Sequence, residues 1–326
     1  MLRFFGVLTG SLLITTLLLS AGFYSFWRAA QAAPDHLARK GVLVEAVHTA
    51  EYDLPGGTAR EFLLRSDSGL EVEIAVRYPD KPLPHRPLLL LMGGQETGRS
   101  AIEVLPDTYG ATVAAISYPF GTVPHRNMLA VAAALPRIQD GIFSTPAAAL
   151  LALDYLLSTE AGIRPGRVEL AGISFGAYLA SVPAVLDARV ERLWLVHGGG
   201  APSLVLDHGL RKRIPAPGLR SFVAEYLATV AGAEHMGPEA WVGQVSPRPV
   251  ILVHARADND LPPEATAALR QAAGQPKEVL WTEGKHVHPK RPEIIEAISA
   301  LMFERIALRS EPESAENSLQ NRVDSG

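Results

Sequence analysis

Two hydrophobic patterns divide the chain. In "LEVEIAVRYP" (Leu70–Pro79), Glu71, Glu73 and Arg77 alternate with Val72, Ile74 and Val76, the period of a half-exposed antiparallel strand. "GVLVEAV" (Gly41–Val47) and "REFLLRS" (Arg60–Ser66) read as its partners, with turns in "GGT" and "SDSG". From Pro87 onward the apolar runs become continuous: "LLLLM", "ATVAAIS" (Ala111–Ser117), "VELAGI" (Val168–Ile173), "LWLVH" (Leu193–His197) and "VILVHA" (Val250–Ala255). Short unbroken runs bounded by turns suit strands buried on both faces of a parallel sheet. "EVLWTEG" (Glu278–Gly284) supplies a last strand. Between the strands lie helical stretches. "TPAAALLALDYLLS" is expected to open with Thr145 as N-cap and Pro146 at the first helical position. "SFVAEYLATVAG" also fits, as does "RPEIIEAISALMFERI", where Ile294, Ile295, Ile298, Leu301 and Met302 make one apolar stripe.

Strands alternating with helices imply a doubly wound α/β fold: a mostly parallel central sheet, helices on both faces and an antiparallel edge. The stretch between "LWLVH" and "VILVHA" is longer than one crossover needs. It begins with "GGGAPSLVLDHGLRKRIPAPG", which reads as an irregular insertion, and a small cap is expected at about 198–245. No internal repeat is visible.

The ends differ from this domain, which is expected to span residues 33–308. No charged residue occurs between Arg3 and Arg28, a length sufficient to cross a bilayer. Phe23, Tyr24, Phe26 and Trp27 stand where an aromatic belt would lie, and Ala30-Gln31-Ala32 resembles a signal-peptidase site. Residues 1–32 are therefore expected to form an uncleaved transmembrane anchor. A cleaved signal peptide is the second reading and a helix buried in the fold the third; the apolar stretch exceeds the usual signal core of about 7–15 residues. Under the first two readings the chain from about Ala33 is exported. It faces the periplasmic side if anchored, and is periplasmic or secreted if cleaved. The last segment, 309–326, is polar and expected to be disordered.

Composition narrows the chemistry. Apolar residues make up 48% of the 326 positions, enough for a large core, and the net charge of -4 gives no footprint for nucleic acid. The densest basic knot, Arg211-Lys212-Arg213, is short. With no cysteine, disulfides, thiolate nucleophiles and cysteine metal sites are excluded.

The strand "VEL" runs into Gly172-Ile173-Ser174-Phe175-Gly176, a G-x-S-x-G followed by a helical pattern that stops near Pro183. A strand turning sharply into a helix strains its middle residue, and small residues two before and two after let the chain cross itself closely. The serine oxygen is then exposed above the sheet edge, and the next N–H, that of Phe175, points at the same spot. A serine hydroxyl needs a base, and the base an orienting carboxylate; behind such an elbow they follow in the order acid, then histidine. "RADNDLPPE" after "VILVHA" offers Asp258 and Asp260, with Asp258 preferred because it is nearer the strand end. "WTEGKHVHPKRPEII" offers His286 and His288, with His286 preferred because it sits on the turn just past the strand. Asp260 reads otherwise as an Asx-turn or N-cap. His286 and His288 could also be a metal pair, but no third ligand stands near in sequence, so no metal is expected. His254, ending its strand, is expected to be packed, or to support the site from behind, and not to take part in the chemistry.

Strand, elbow and helix, then "VILVHARADNDLPPE" and "TEGKHVHP", resemble the α/β-hydrolase superfamily. "TPAAALLALDYLLSTEAGIRPGRVELAGISFGAYLA" looks like its dienelactone-hydrolase and serine-peptidase-like branch, in which a helix carrying an aspartate, here Asp154, precedes the elbow strand. Asp154 is assigned no chemistry. The resemblance covers roughly Pro87 to Ile306 and implies the α/β-hydrolase fold with a Ser174–Asp258–His286 triad. It implies an oxyanion hole from Phe175 and the turn after "LLLLM", where Gly94 or Gln95 would donate. That turn, "GGQETGRS", comes close to a phosphate-binding loop, but Arg99 stands where the lysine should and "TVAAIS" ends without an acid for magnesium. "HGGG" (His197–Gly200) looks like an oxyanion motif of lipases but follows the elbow in the chain, so it is expected to start the cap and line the pocket. The function implied is a serine hydrolase of a small-molecule carboxylic ester, or of an amide, that needs no cofactor. A catalytically inactive binding or scaffold protein of the same fold at the membrane is the second class.

Overall fold

The computed structural model describes residues 15–17, 19–28, 30–83, 85, 87–121 and 128–308. Nine strands form one sheet: β1 (Leu43–Leu54), β2 (Gly57–Ser66), β3 (Glu71–Pro79), β4 (Pro87–Met92), β5 (Thr112–Ile116), β6 (Arg167–Ile173), β7 (Arg192–Val196), β8 (Val250–Ala255) and β9 (Lys277–Thr282). Their order is β1-β2-β3-β5-β4-β6-β7-β8-β9. β1, β2 and β3 pair antiparallel, β3 meets β5 antiparallel, and every pair from β5 across to β9 is parallel. The alternating and the continuous runs thus become the antiparallel edge and the parallel centre. β1 extends beyond the expected Val47. The first turn is Pro55-Gly56 alone, with Gly57 and Thr58 already in β2, because Gly57 faces Leu54 across a two-residue hairpin.

Each central strand is buried on both faces. Leu88, Leu90 and Met92 join one apolar cluster and Leu89 and Leu91 the other. The helices, in chain order, begin with α1, described over 15–17 and 19–28, and α2 (His36–Lys40). α3 (Ala101–Val104), α4 (Met128–Leu156) and α5 (Ser181–Leu186) follow. α6 (Pro202–Leu210), α7 (Pro217–Val230), α8 (Ala233–Met236) and α9 (Pro238–Trp241) all lie between β7 and β8, before α10 (Pro263–Ala272) and α11 (Pro292–Leu308). α11 packs Ile294, Ile298, Met302, Phe303 and Ile306 on one face of the sheet, while α4 packs Leu151, Ala152, Tyr155 and Leu156 on the other.

Three local expectations are corrected. Thr145 does not cap a helix. α4 begins at Met128 and runs through Pro136 and Pro146, and the Thr145 hydroxyl donates to the Gly141 carbonyl one turn back, at 2.7 Å. The pocket of Phe120 against Gly141, where a Cβ would meet the Phe120 backbone at 2.7 Å, keeps the earlier half of the helix in place. The elbow is followed by a 3-10 turn (Ser174–Tyr178) before α5, which continues through Pro183 instead of stopping there. "GGGAPSLVLDHGLRKRIPAPG" is only partly irregular, since α6 occupies nine of its residues.

The N-terminal run falls mostly outside the described residues, as do residues 122–127 and the polar tail 309–326. Among the described residues no helix is long and apolar enough to cross a membrane. The end of α1 packs on the domain: Phe23 stacks on Tyr226 at 3.7 Å, and Gln139 donates to the Phe26 carbonyl at 3.4 Å. Ala30 is buried in the core, and the Gln31 carbonyl lies 3.1 Å from His235 Nε2.

The tightest backbone approach in the parallel centre lies at the elbow. A Cβ at Gly176 would fall on the Met92 carbonyl, and one at Gly172 would lie 2.6 Å from the Gly176 carbonyl oxygen. Backbone atoms cannot swing aside, so Gly176→Ala should destabilise the protein by about 3 kcal/mol. A lowered urea midpoint at unchanged slope will report it.

Candidate active site

Three strand ends deliver the side chains the chemistry needs. β6 ends at Ile173, and Ser174 takes φ +54°, a left-handed backbone in a non-glycine residue. That conformation lifts the hydroxyl off the sheet edge. Its neighbour Phe175 is held edge-on by Tyr118 at 5.1 Å and by Phe120 at 6.0 Å. The Tyr118 hydroxyl donates to the Gly93 carbonyl, which ties the turn after β4 to the same spot.

β8 delivers Asp258. Its Oδ1 accepts from the N–H groups of Asp260 at 2.9 Å and Leu261 at 3.1 Å, so the Asx-turn, one of the two structural readings of Asp260, is made by Asp258. Its Oδ2 faces His286 Nδ1 at 2.7 Å, and His286 Nε2 faces Ser174 Oγ at 2.8 Å. Burial alone pushes the Asp258 carboxyl up. The His286 hydrogen bond and charge and the two N–H donors outweigh it and hold the carboxyl below the usual range. An ionised carboxylate accepts only, so Nδ1 carries the proton and Nε2 is free to accept from the serine. The structure thus brings together Ser174, Asp258 and His286 as expected, and leaves Asp260 and His288 outside. His288 Nδ1 accepts instead from the Lys290 N–H at 3.1 Å.

One residue was misjudged from sequence. His197 does begin the cap segment, at φ +49°, but it is fully buried behind the site. Its Nδ1 accepts the Val287 N–H at 2.8 Å, so its Nε2 carries the proton and donates to Thr282 Oγ1 at 3.1 Å. It therefore pins the loop next to His286. Only its place at the end of β7, the strand beside the elbow strand, could have signalled this. Burial first, then the His286 charge, lowers its pKa to about 4. His197, Asp258 and His286 are the one trio of metal-ligand type among the described residues. Each of those imidazole nitrogens already faces a hydrogen-bond partner, and a cation on His197 Nδ1 would have to displace the Val287 N–H.

Other expectations resolve without chemistry. Arg99 is engaged with Glu61 at 3.2 Å and with Glu73, so it faces carboxylates and not a phosphate. Asp154 pairs with Lys40 at 2.5 Å and Arg189 at 2.6 Å. His254 is packed as expected, 5.3 Å from the Trp281 ring, with neither ring nitrogen hydrogen-bonded among the described residues. Burial lowers its pKa to about 4 as well.

Two cavities meet at Gln95 and Phe175, and the first of them reaches the serine. One, of about 280 Å³, is lined by Ser174, His286, Gly94, Leu91, Ile298 and Met302. The second, of about 440 Å³, lies under the cap and is lined by Ile138, Ile142, Val205, Leu206, Leu227 and Ala228. Gln95 and Phe175 border both.

No protein-family model and no curated protein matches the chain. Solved structures do. A cold-adapted esterase from an Arctic intertidal metagenomic library is similar with a TM-score of 0.55 at 18% identity, over 80% of this chain and 99% of that one. An esterase of Pyrococcus furiosus is similar with a TM-score of 0.53 at 13% identity, over 82% of this chain and 96% of that one. A 2,6-dihydroxy-pseudo-oxynicotine hydrolase gives 0.51 at 18% identity, over 76% and 67%. At these identities the likeness is one of fold, and the fold is that of the α/β-hydrolases.

The two neutral histidines make stability depend on acid. In the unfolded chain each ring is protonated below its ordinary pKa of 6.5, whereas in the fold it stays neutral down to about 4. Unfolding therefore takes up protons between those values, and stability falls as the pH drops through that window, by on the order of 3 kcal/mol per ring. His254→Phe should remove its share and flatten the decline, read by urea melts at pH 7 and pH 4.5.

Proposed function

We propose that the protein is a serine hydrolase of carboxylic esters, amides being the harder second class. The observation that carries this is the unbroken chain Ser174 Oγ–His286 Nε2–His286 Nδ1–Asp258 Oδ2, at 2.8 and 2.7 Å, on a serine held at φ +54°. His286 takes the hydroxyl proton as Ser174 attacks the ester carbonyl, and Asp258 stabilises the imidazolium. The N–H groups of Phe175 and of Gly94 or Gln95 receive the developing oxyanion, each contributing roughly 3 kcal/mol to the barrier reduction. The tetrahedral centre expels the alkoxide, which takes the proton from His286. Water, deprotonated by the same imidazole, then releases the acid and restores Ser174. The esterase and hydrolase neighbours of the same fold support the reaction class, and the apolar walls of both cavities support a small uncharged ester as substrate.

We place the domain on the outer face of a membrane, anchored through residues 1–32. The uncharged run from Phe4 to Trp27 supports an anchor, and the burial of Ala30 within the supposed cleavage site supports its retention.

Ser174→Ala should cut ester turnover by on the order of 10⁶-fold and abolish labelling by a fluorophosphonate probe. Unlabelled wild-type Ser174 would instead favour the inactive scaffold. Asp258→Asn should retain the fold, judged by an unchanged melting curve, and lose about 10⁴-fold in kcat, because the amide holds the wrong imidazole tautomer.

A further inference from the structure

The helix hairpin α6–α7 roofs the second cavity, and its two sides have opposite surroundings. Inward, Val205, Leu206, Leu227 and Ala228 line the cavity. Outward, α7 presents Leu219, Phe222 and Tyr226 at positions i, i+3 and i+7, which share one helix face. Water-soluble surfaces rarely keep such a stripe bare, yet Leu219 is 57% and Phe222 61% exposed, and Leu204 of the adjoining α6 is exposed as well.

Three observations say what covers this face. First, its third member, Tyr226, is already stacked on Phe23 of α1, and its hydroxyl donates to the Phe23 carbonyl at 3.4 Å. The face is therefore continuous with a helix whose own Leu17, Leu19, Phe23, Tyr24 and Trp27 are exposed and which lies in a stretch uncharged from Phe4 to Trp27. Secondly, the tip joining α6 to α7 carries Arg211, Lys212 and Arg213, all exposed, the arrangement that suits anionic headgroups around an apolar contact. Thirdly, the hairpin is held shut as a unit by Asp207, which pairs with Arg220 at 2.9 Å and accepts from Ser221 at 2.8 Å. A rigid hairpin can enter an interface without unfolding.

We propose that the outer face of α6–α7, where Tyr226 meets Phe23 near the end of α1, lies in the headgroup and upper acyl region of an anionic bilayer, and that the enzyme draws bilayer-dissolved apolar esters through this roof into the cavity beneath. The second half of this statement rests on the hydrolase reading above; the first half does not. The anchor fixes the chain to the membrane by its end, whereas this surface sets the orientation of the domain, with the ends of β6, β8 and β9 turned toward the lipid.

The natural absence of cysteine permits a site-specific test on the full chain. Phe222→Cys and Leu219→Cys are labelled with the environment-sensitive fluorophore NBD and reconstituted in phosphatidylcholine–phosphatidylglycerol vesicles. Glu160→Cys, exposed in the loop that leads from α4 into the start of β6, the end of that strand away from Ser174, is the control. We expect blue-shifted emission and quenching by doxyl-labelled lipid at 219 and 222 and neither at 160. Emission at 222 as water-like as at 160 overturns the surface even though the anchor still holds the protein to vesicles. A blue shift that appears without lipid and grows with protein concentration also overturns it, in favour of a second copy of the chain. The fluorescence needs no catalysis, so it decides the surface whether or not esters are cleaved. For the substrate, the double change Leu219→Asp with Phe222→Asp should lower turnover of a long-chain ester dissolved in the vesicles by about tenfold. Hydrolysis of a water-soluble short-chain ester should be unaffected. Equal loss on both esters, or no loss on either, overturns delivery through the roof.

Discussion

The carbonyl of Met92, at the end of β4, occupies the space that a side chain at position 176 would need, and the Gly176 carbonyl crowds position 172 in the same way. Two glycines accept that contact, and the residue between them is forced to φ +54°. The strain at Ser174 is thus not local. It is imposed by the register of β4 beside β6, in which Met92 faces Gly172. Because the turn after β4 also bears Gly94 and Gln95, the contact that raises Ser174 also sets where their N–H groups stand relative to its hydroxyl.

Electrostatics act on this frame over a short range. Asp258 remains charged although buried, because three donors converge on it. His197 is kept neutral by burial and spends both nitrogens on Val287 and Thr282, so the loop carrying His286 hangs from a group that does not compete for the carboxylate. Two imidazoles 5.5 Å apart are therefore held differently: one spans Ser174 and Asp258, and the other is fixed between Val287 and Thr282 as a strut.

Much of this was legible in the residues. Continuous apolar runs marked the parallel strands because burial on both faces leaves no polar alternation. The elbow was legible because its glycines are required by backbone contact. Asp258 and His286 followed from their positions just past β8 and β9. The rest was hidden for physical reasons. Thr145 looked like a cap because Thr-Pro is a good helix start, and only the packing of Gly141 on Phe120 shows that the helix continues upstream. The 3-10 turn after Ser174 cannot be told from an α-helix by composition. His197 looked like the lead of a lipase motif, since its role depends on a hydrogen bond to a residue ninety positions away.

α4 joins these two regions of the molecule. Ile138 and Ile142 form part of the wall of the larger cavity, while Leu151 to Leu156 are bolted to the sheet. Pro136 and Pro146 interrupt the backbone ladder of this one helix, the second of them between wall and bolt. Bending at that joint would widen or narrow the larger cavity while the sheet, and with it the spacing of Ser174 and His286, stays still. The size of that cavity and the geometry of the three side chains at the strand ends are thereby mechanically uncoupled.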